Sequence, residues 1–203
     1  MIDPKVFLEA GQQLHGHRCP AMPLGLRAGA AAMNALAVPR ARDKELLATL
    51  ELGDDHCAHC FGDGVQMITG CTFGKGNIRK VPHGKFGLTL VHRATGRAVR
   101  VVPRAEAQAN MKKSAFFQEY RLKGIPASKI PRAVVDPLIE QVMNAPEERI
   151  LLVGPETKVT VESGGEAFAT AACDACGEMV VEKYLRVLGE KRVCIPCQEK
   201  TLA

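Results

Sequence analysis

Cys173-x2-Cys176 and Cys194-x2-Cys197 stand 17 residues apart near the C-terminal end of this 203-residue sequence. Two such pairs present four thiolates at a spacing that closes a tetrahedral zinc site and fits a ribbon. Gly177 supplies a tight turn after the first knuckle and Pro196 stiffens the second. Glu178–Val187 and Arg192–Cys194 are expected to form a small hairpin turning at Gly189-Glu190. A redox Cys-x2-Cys pair is an alternative, but two pairs at ribbon distance favour a metal. Residues 166–203 are therefore read as a zinc ribbon, joined by the linker Ser163-Gly164-Gly165 to a core domain over 1–165.

The other four of the eight cysteines fall in the first 71 residues, beside four of the six histidines. The densest stretch is His15-Gly16-His17-Arg18-Cys19-Pro20. Imidazoles and a thiolate suit zinc, iron, nickel or copper, and suit magnesium or calcium badly. Cys19 sits where a helix should begin, so unpaired N–H groups and the helix dipole favour its anion. We take His17, Cys19 and Cys60 as the core metal set, with His15 and Cys71 as reserve donors. Cys19 and Cys60 are also the candidates for a catalytic nucleophile or redox thiol. His56, Cys57 and His59 read as surface neighbours, and His83 and His92 as ordinary surface histidines. Asp63 fits either a helix N-cap or a partner of a ligand, and Arg27 either the same site or a salt bridge.

Helical patterns cover Pro4–Leu14, Pro20–Ala37, a stretch from near Asp63 to Met67, 105–121 and 132–143. Small residues along the second (Gly25, Ala28, Gly29, Ala32) would let another backbone approach closely. Lys44–Leu50 reads as a helical turn or short helix leading into a strand, and Gly70–Asn77 as a glycine-punctuated loop. Phe86–His92 and Arg97–Val102 flank Ala94-Thr95-Gly96 as a hairpin, and 150–153 and 158–161 are short strands. The whole is an α+β chain, a mixed helix and sheet core followed by a small metal module.

Three motifs in order, His15-Gly-His17-x-Cys19-Pro20, Cys60-Phe-Gly-Asp63-Gly-Val-Gln66 and Gly70-Cys71-Thr-Phe-Gly-Lys-Gly-Asn77, resemble the formylmethanofuran dehydrogenase E-subunit family. The matching stretch spans about residues 7–80, and Ala21 replaces the glycine usual after the first motif. The resemblance implies an α+β core that dimerises, a metal-capable Cys/His cluster, and the trailing zinc ribbon that many members carry.

Between Lys75 and Arg132 there are 14 Lys/Arg against 2 Asp/Glu, within an overall charge of +5. A basic middle suits an acidic protein partner or an anionic small molecule, and equally a solvated face. Residues 173–203 are neutral with one aromatic, Tyr184, and the chain lacks Trp, so a nucleic-acid surface is disfavoured. With no apolar run long enough to span a bilayer and no leader pattern, a cytoplasmic protein is expected. The leading expectation is an accessory or metal/thiol-dependent factor for a molybdenum- or tungsten-type oxidoreductase system. The rivals are a stand-alone enzyme using the core Cys/His site and a ribbon-based nucleic-acid-binding regulator. The ribbon metal is expected to be zinc, and the core metal zinc, nickel or iron.

Overall fold

A computed structural model of the chain describes residues 1–54, 59–161 and 167–202. His56, Cys57 and the Ser163-Gly164-Gly165 linker lie outside the described residues. The chain divides into two compact units, Met1–Val161 and Glu162–Ala203, a few residues before the boundary drawn at 165/166.

In the first unit the Asp3 carboxylate accepts the Lys5 amide proton (2.9 Å) and starts a 3-10 turn over Pro4–Phe7. This leads into α1, Leu8–His15, which stops at Gly16 in the left-handed region (φ 80°). Helix α2, Ala21–Leu36, follows, and then β1, Leu46–Leu50, with alternate residues Leu46, Ala48 and Leu50 buried. The 44–50 stretch is thus mainly strand, as its alternating burial requires. Helix α3, His59–Thr69, begins earlier than Asp63, so Asp63 is a helical residue and no N-cap. A three-residue strand, β2, Ile78–Lys80, is too short to leave a periodic trace.

Strands β3, Leu88–His92, and β4, Arg97–Pro103, form the expected hairpin, with Gly96 at φ 70°. Helix α4 covers Ala105–Lys112 only; a separate π turn, Phe116–Tyr120, breaks the single helix expected to 121. Helix α5, Arg132–Asn144, the short α6, Glu147–Ile150, and strands β5, Leu151–Val153, and β6, Thr157–Lys158, complete the unit.

The sheet order is β2-β1-β3-β4-β5, with β6 beside the start of β4. All pairs are antiparallel except β1 with β2. Its apolar face (Leu46, Ala48, Leu88, Leu90, Val99, Val101) packs with α2 and α3 residues such as Met33, Leu36, Phe61 and Val65 into one cluster. A second cluster, built from α2, α3, α5 and the π turn, gathers Met22, Leu26, Ile68, Phe116, Val135 and Ile139. Helix α2 belongs to both and is almost wholly buried.

The contact between α2 and α3 runs backbone to backbone. A Cβ at Gly25 would overlap the Phe61 carbonyl, and one at Gly64 would overlap the Met22 carbonyl. The small-residue stripe seen in the sequence is therefore the surface that lets the two helices touch.

Arg27 is buried on α2. Its guanidinium donates to the carbonyls of Val142 (2.8 Å), Met143 (3.0 Å) and Ala145 (2.9 Å), neutralising the C-terminal end of α5. Among the described residues it joins neither the Cys/His cluster nor a salt bridge, the two roles considered from sequence. Arg27→Met should cost about 2–3 kcal/mol, because buried carbonyls lose a charged donor; a denaturation midpoint unchanged from wild type would refute this assignment.

The second unit has two small sheets, β7, Thr170–Ala172, with β8, Met179–Val181, and β9, Leu185–Leu188, with β10, Lys191–Cys194. Gly189 (φ 63°) makes the second turn where expected. The expected strand Glu178–Val187 is split by a 3-10 turn at Glu182–Tyr184. A terminal helix, α7, Ile195–Leu202, closes the unit, and Pro196 lies in its first turn. Among the described residues no helix is long and apolar enough to cross a membrane.

Candidate metal centre

Three chain segments meet at one point in the first unit. Gly16 reverses the chain beyond α1, which brings His15 and His17 together with their ring centroids 4.1 Å apart. Cys19 stands just before α2, and Cys60 lies in the first turn of α3. The Gly25–Gly64 contact locks those two helices, so it also fixes one sulfur against the other.

The Nε2 atoms of His15 and His17 are 3.1 Å apart, Cys19 Sγ is 3.6 Å from His15 Nε2, and Cys60 Sγ is 4.0 Å from His17 Nε2. One donor atom from each of the four residues lies within 4.8 Å of every other. Metal–nitrogen bonds of about 2.0 Å and metal–sulfur bonds of about 2.3 Å around zinc imply ligand–ligand edges of about 3.3–3.8 Å in a tetrahedron. The three spacings of 3.1, 3.6 and 4.0 Å bracket that range. His15 Nδ1 bonds the Asp63 carboxylate at 2.7 Å, which directs Nε2 into the cluster, as a carboxylate does behind a metal-bound imidazole. The structure thus brings His17, Cys19 and Cys60 together. His15, held only in reserve from sequence, joins them, and its partner Asp63 is the residue that sequence left ambiguous.

The electrostatics describe donors awaiting a positive centre. Cys19 is pushed down, first by a hydrogen bond from Cys60 and then by the amides of Met22 and Ala21. Cys60 is pushed up by Cys19 and by burial, so only one of the pair ionises readily. The Asp63 carboxylate, followed by Cys60, raises His15 to about 9. Burial and the charges of His15 and Arg121 lower His17. A dication would supply the charge that lets both sulfurs be thiolates. Soft sulfur and imidazole donors fit zinc, nickel or iron.

His17, Cys19 and Cys60 also line a cavity of about 1190 Å³. Its walls come from α2, α4, the π turn, α5 and α6, and they include Leu24, Phe116, Phe117 and Leu138.

Other candidates go elsewhere. Cys71 is fully buried between sheet and helices, and burial raises its thiol. His59 Nε2 bonds the Gly53 carbonyl (2.9 Å) and His92 Nδ1 bonds Thr95 (2.9 Å). The glycine loop clamps itself. Lys75 donates to the carbonyls of Ala41 and Arg42 (3.2 Å each), while Asn77 ties Thr72, Asp43 and Leu46 together. The amides of Thr72, Phe73, Lys75 and Gly76 are engaged within this region, so they present no cradle for an anion.

In the second unit Cys173, Cys176, Cys194 and Cys197 converge in the same way, with Cys176 and Cys194 sulfurs 3.9 Å apart. The Cys194 amide donates to Cys173 Sγ (3.2 Å). Cys173 is pushed down to about 6, chiefly by the Cys176 amide and then by that of Cys194. Its neighbours push Cys197 up to about 12, Cys194 foremost. Four sulfurs cannot all ionise together without a cation.

Residues 14–152 match the family model described as FmdE, molybdenum formylmethanofuran dehydrogenase operon. The chain belongs to the FmdE family. All four core donors lie inside the FmdE match, and residues 166–201 match the prokaryotic dksA/traR C4-type zinc finger, which contains the four C-terminal cysteines. A tungsten formylmethanofuran dehydrogenase FmdE-like protein from Syntrophus aciditrophicus shares the fold, with TM-score 0.65 and 22% identity. That match covers 98% of this chain and 94% of the other. A relative from Archaeoglobus fulgidus, a probable S-adenosyl-L-methionine-binding protein, is 30% identical over 204 residues. The alignment takes in 94% of this FmdE-family chain and 52% of that protein, so the chain spans about half its relative's length.

Proposed function

We propose that this protein is a metal-dependent factor in which His15, His17, Cys19 and Cys60 hold a zinc, nickel or iron ion that serves a small molecule docked beside it. The reading rests on one observation: three of the four donors stand in the wall of a ligand-sized cavity, where a purely structural ion would be enclosed. Bound there, a transition ion supplies Lewis-acid or redox chemistry. The chain's residues supply the rest. Asp63 fixes the His15 tautomer, the α2 amides hold the Cys19 thiolate, and the apolar walls exclude water. Family membership supports reading this factor as an accessory to a molybdenum- or tungsten-type oxidoreductase system, and we propose that it works as a homodimer in the cytoplasm.

The cavity also favours a second reading, an enzyme in its own right with Cys19 as the reactive thiol. Faster alkylation of Cys19 than of a free thiol in the metal-stripped protein would favour it.

The test is elemental analysis of untagged full-length protein. Wild type should carry about two transition ions per chain, and His17→Ala/Cys60→Ala about one. Unchanged metal content in the double variant would remove these ligands from consideration. Light scattering on the same samples reads the expected dimer.

A further inference from the structure

The metal-side cavity has an uneven lining that limits what it can hold. Its walls are mainly hydrocarbon, including Leu24, Phe116, Phe117 and Leu138. The cations Lys112, Arg121 and Arg149 line it against one carboxylate, Glu106. Arg121 lines the same cavity as the donors His17, Cys19 and Cys60. It is half-buried, and one guanidinium nitrogen donates to the Ile125 carbonyl at 2.9 Å, which anchors the side chain. Among the described residues no carboxylate lies within ion-pair distance of it. A partly desolvated guanidinium with spare donors beside an apolar channel is a receptor for an oxyanion.

We infer that the cavity takes an amphipathic organic acid. Its carboxylate pairs with Arg121 beside His17, Cys19 and Cys60, and its hydrocarbon part lies along Leu24, Phe116, Phe117 and Leu138. This deepens the proposed function, since it rests on the cavity being a ligand site, but it does not depend on which ion is held. An amine of the same length would meet three cations and is rejected. A neutral alcohol keeps the apolar contacts and loses the ion pair.

The probes are octanoate, 1-octanol and octylamine, titrated calorimetrically into the full-length protein as purified. Octanoate should bind about tenfold tighter than 1-octanol, the worth of a charge-assisted contact, and octylamine should not bind. Arg121→Met should erase the preference for octanoate while leaving 1-octanol affinity unchanged, and Arg121→Lys should keep much of it. Ala127→Trp, which fills part of the wall, should weaken octanoate and 1-octanol alike, placing both in this cavity. Equal affinities for the three probes, an unaltered preference in Arg121→Met, or no binding of any probe would overturn the inference. Metal content measured on the same samples stands apart: a missing core ion with intact octanoate selectivity defeats the proposed metal dependence alone.

Discussion

Chelating the ion from Cys173, Cys176, Cys194 and Cys197 is expected to unfold residues 167–202 while leaving the first unit folded. The second unit buries only Cys173, Val193 and Cys194 among its described hydrophobic residues, and two of those three are ligands. Its sheets are two-stranded, a size that is marginal in water without further support. Against that thin core, a structural zinc ion in a small finger contributes an apparent binding free energy of about 10–16 kcal/mol, all of it folding free energy. Amide exchange provides the measurement. After chelation, or in Cys194→Ser, protection in 170–194 should vanish while that of β1, β3 and β4 persists. Retained protection in 170–194 without metal would show that the unit folds by packing alone.

Gly25→Val should be the most damaging single substitution in the first unit. Added carbon at this position runs into the Phe61 carbonyl, which is backbone and cannot rotate away, so α2 and α3 must separate. Overpacking of a tight core commonly costs about 1–3 kcal/mol, and a forced helix separation belongs at or beyond the upper end of that range. At about 2–4 °C per kcal/mol for a protein of this size, the melting temperature should fall by about 6–12 °C or more. The variant also has a chemical signature, because α2 follows Cys19 and α3 carries Cys60. Core metal content should fall while the four-cysteine site stays loaded. Gly74→Ala is the control: it meets open space at ordinary backbone angles and should melt like wild type. A fully stable, fully metallated Gly25→Val would refute the close-contact account.

Fold class and most elements were legible because each has a local cause. Asp3-Pro4 starts a helix, Gly16 ends one, and Thr95-Gly96 turns a hairpin, all through interactions within a few residues. The misses share the opposite property. β2 exists because Ile78–Lys80 pairs with Ala48–Leu50, about thirty residues away, and three residues cannot show a period. The break after Lys112 falls in a stretch with uniform helical character, where the amide protons of Lys113 and Ser114 turn to the carbonyls three residues back, Asn110 and Met111. The role of Lys75 is likewise set by two carbonyls more than thirty residues away, those of Ala41 and Arg42.

The sequence by itself determined which groups are available: eight thiols with four of them paired near the C-terminus, six imidazoles, and the glycines that permit close approach. Donor chemistry and turn geometry are properties of single residues and near neighbours, so they can be read without coordinates. Only the tertiary structure decided that His15 completes the cluster, that Asp63 stands behind it, that Arg27 caps a helix, and that Arg121 faces a cavity. Each of those roles depends on a contact across many residues. Such contacts follow from how buried helices and sheet pack against one another.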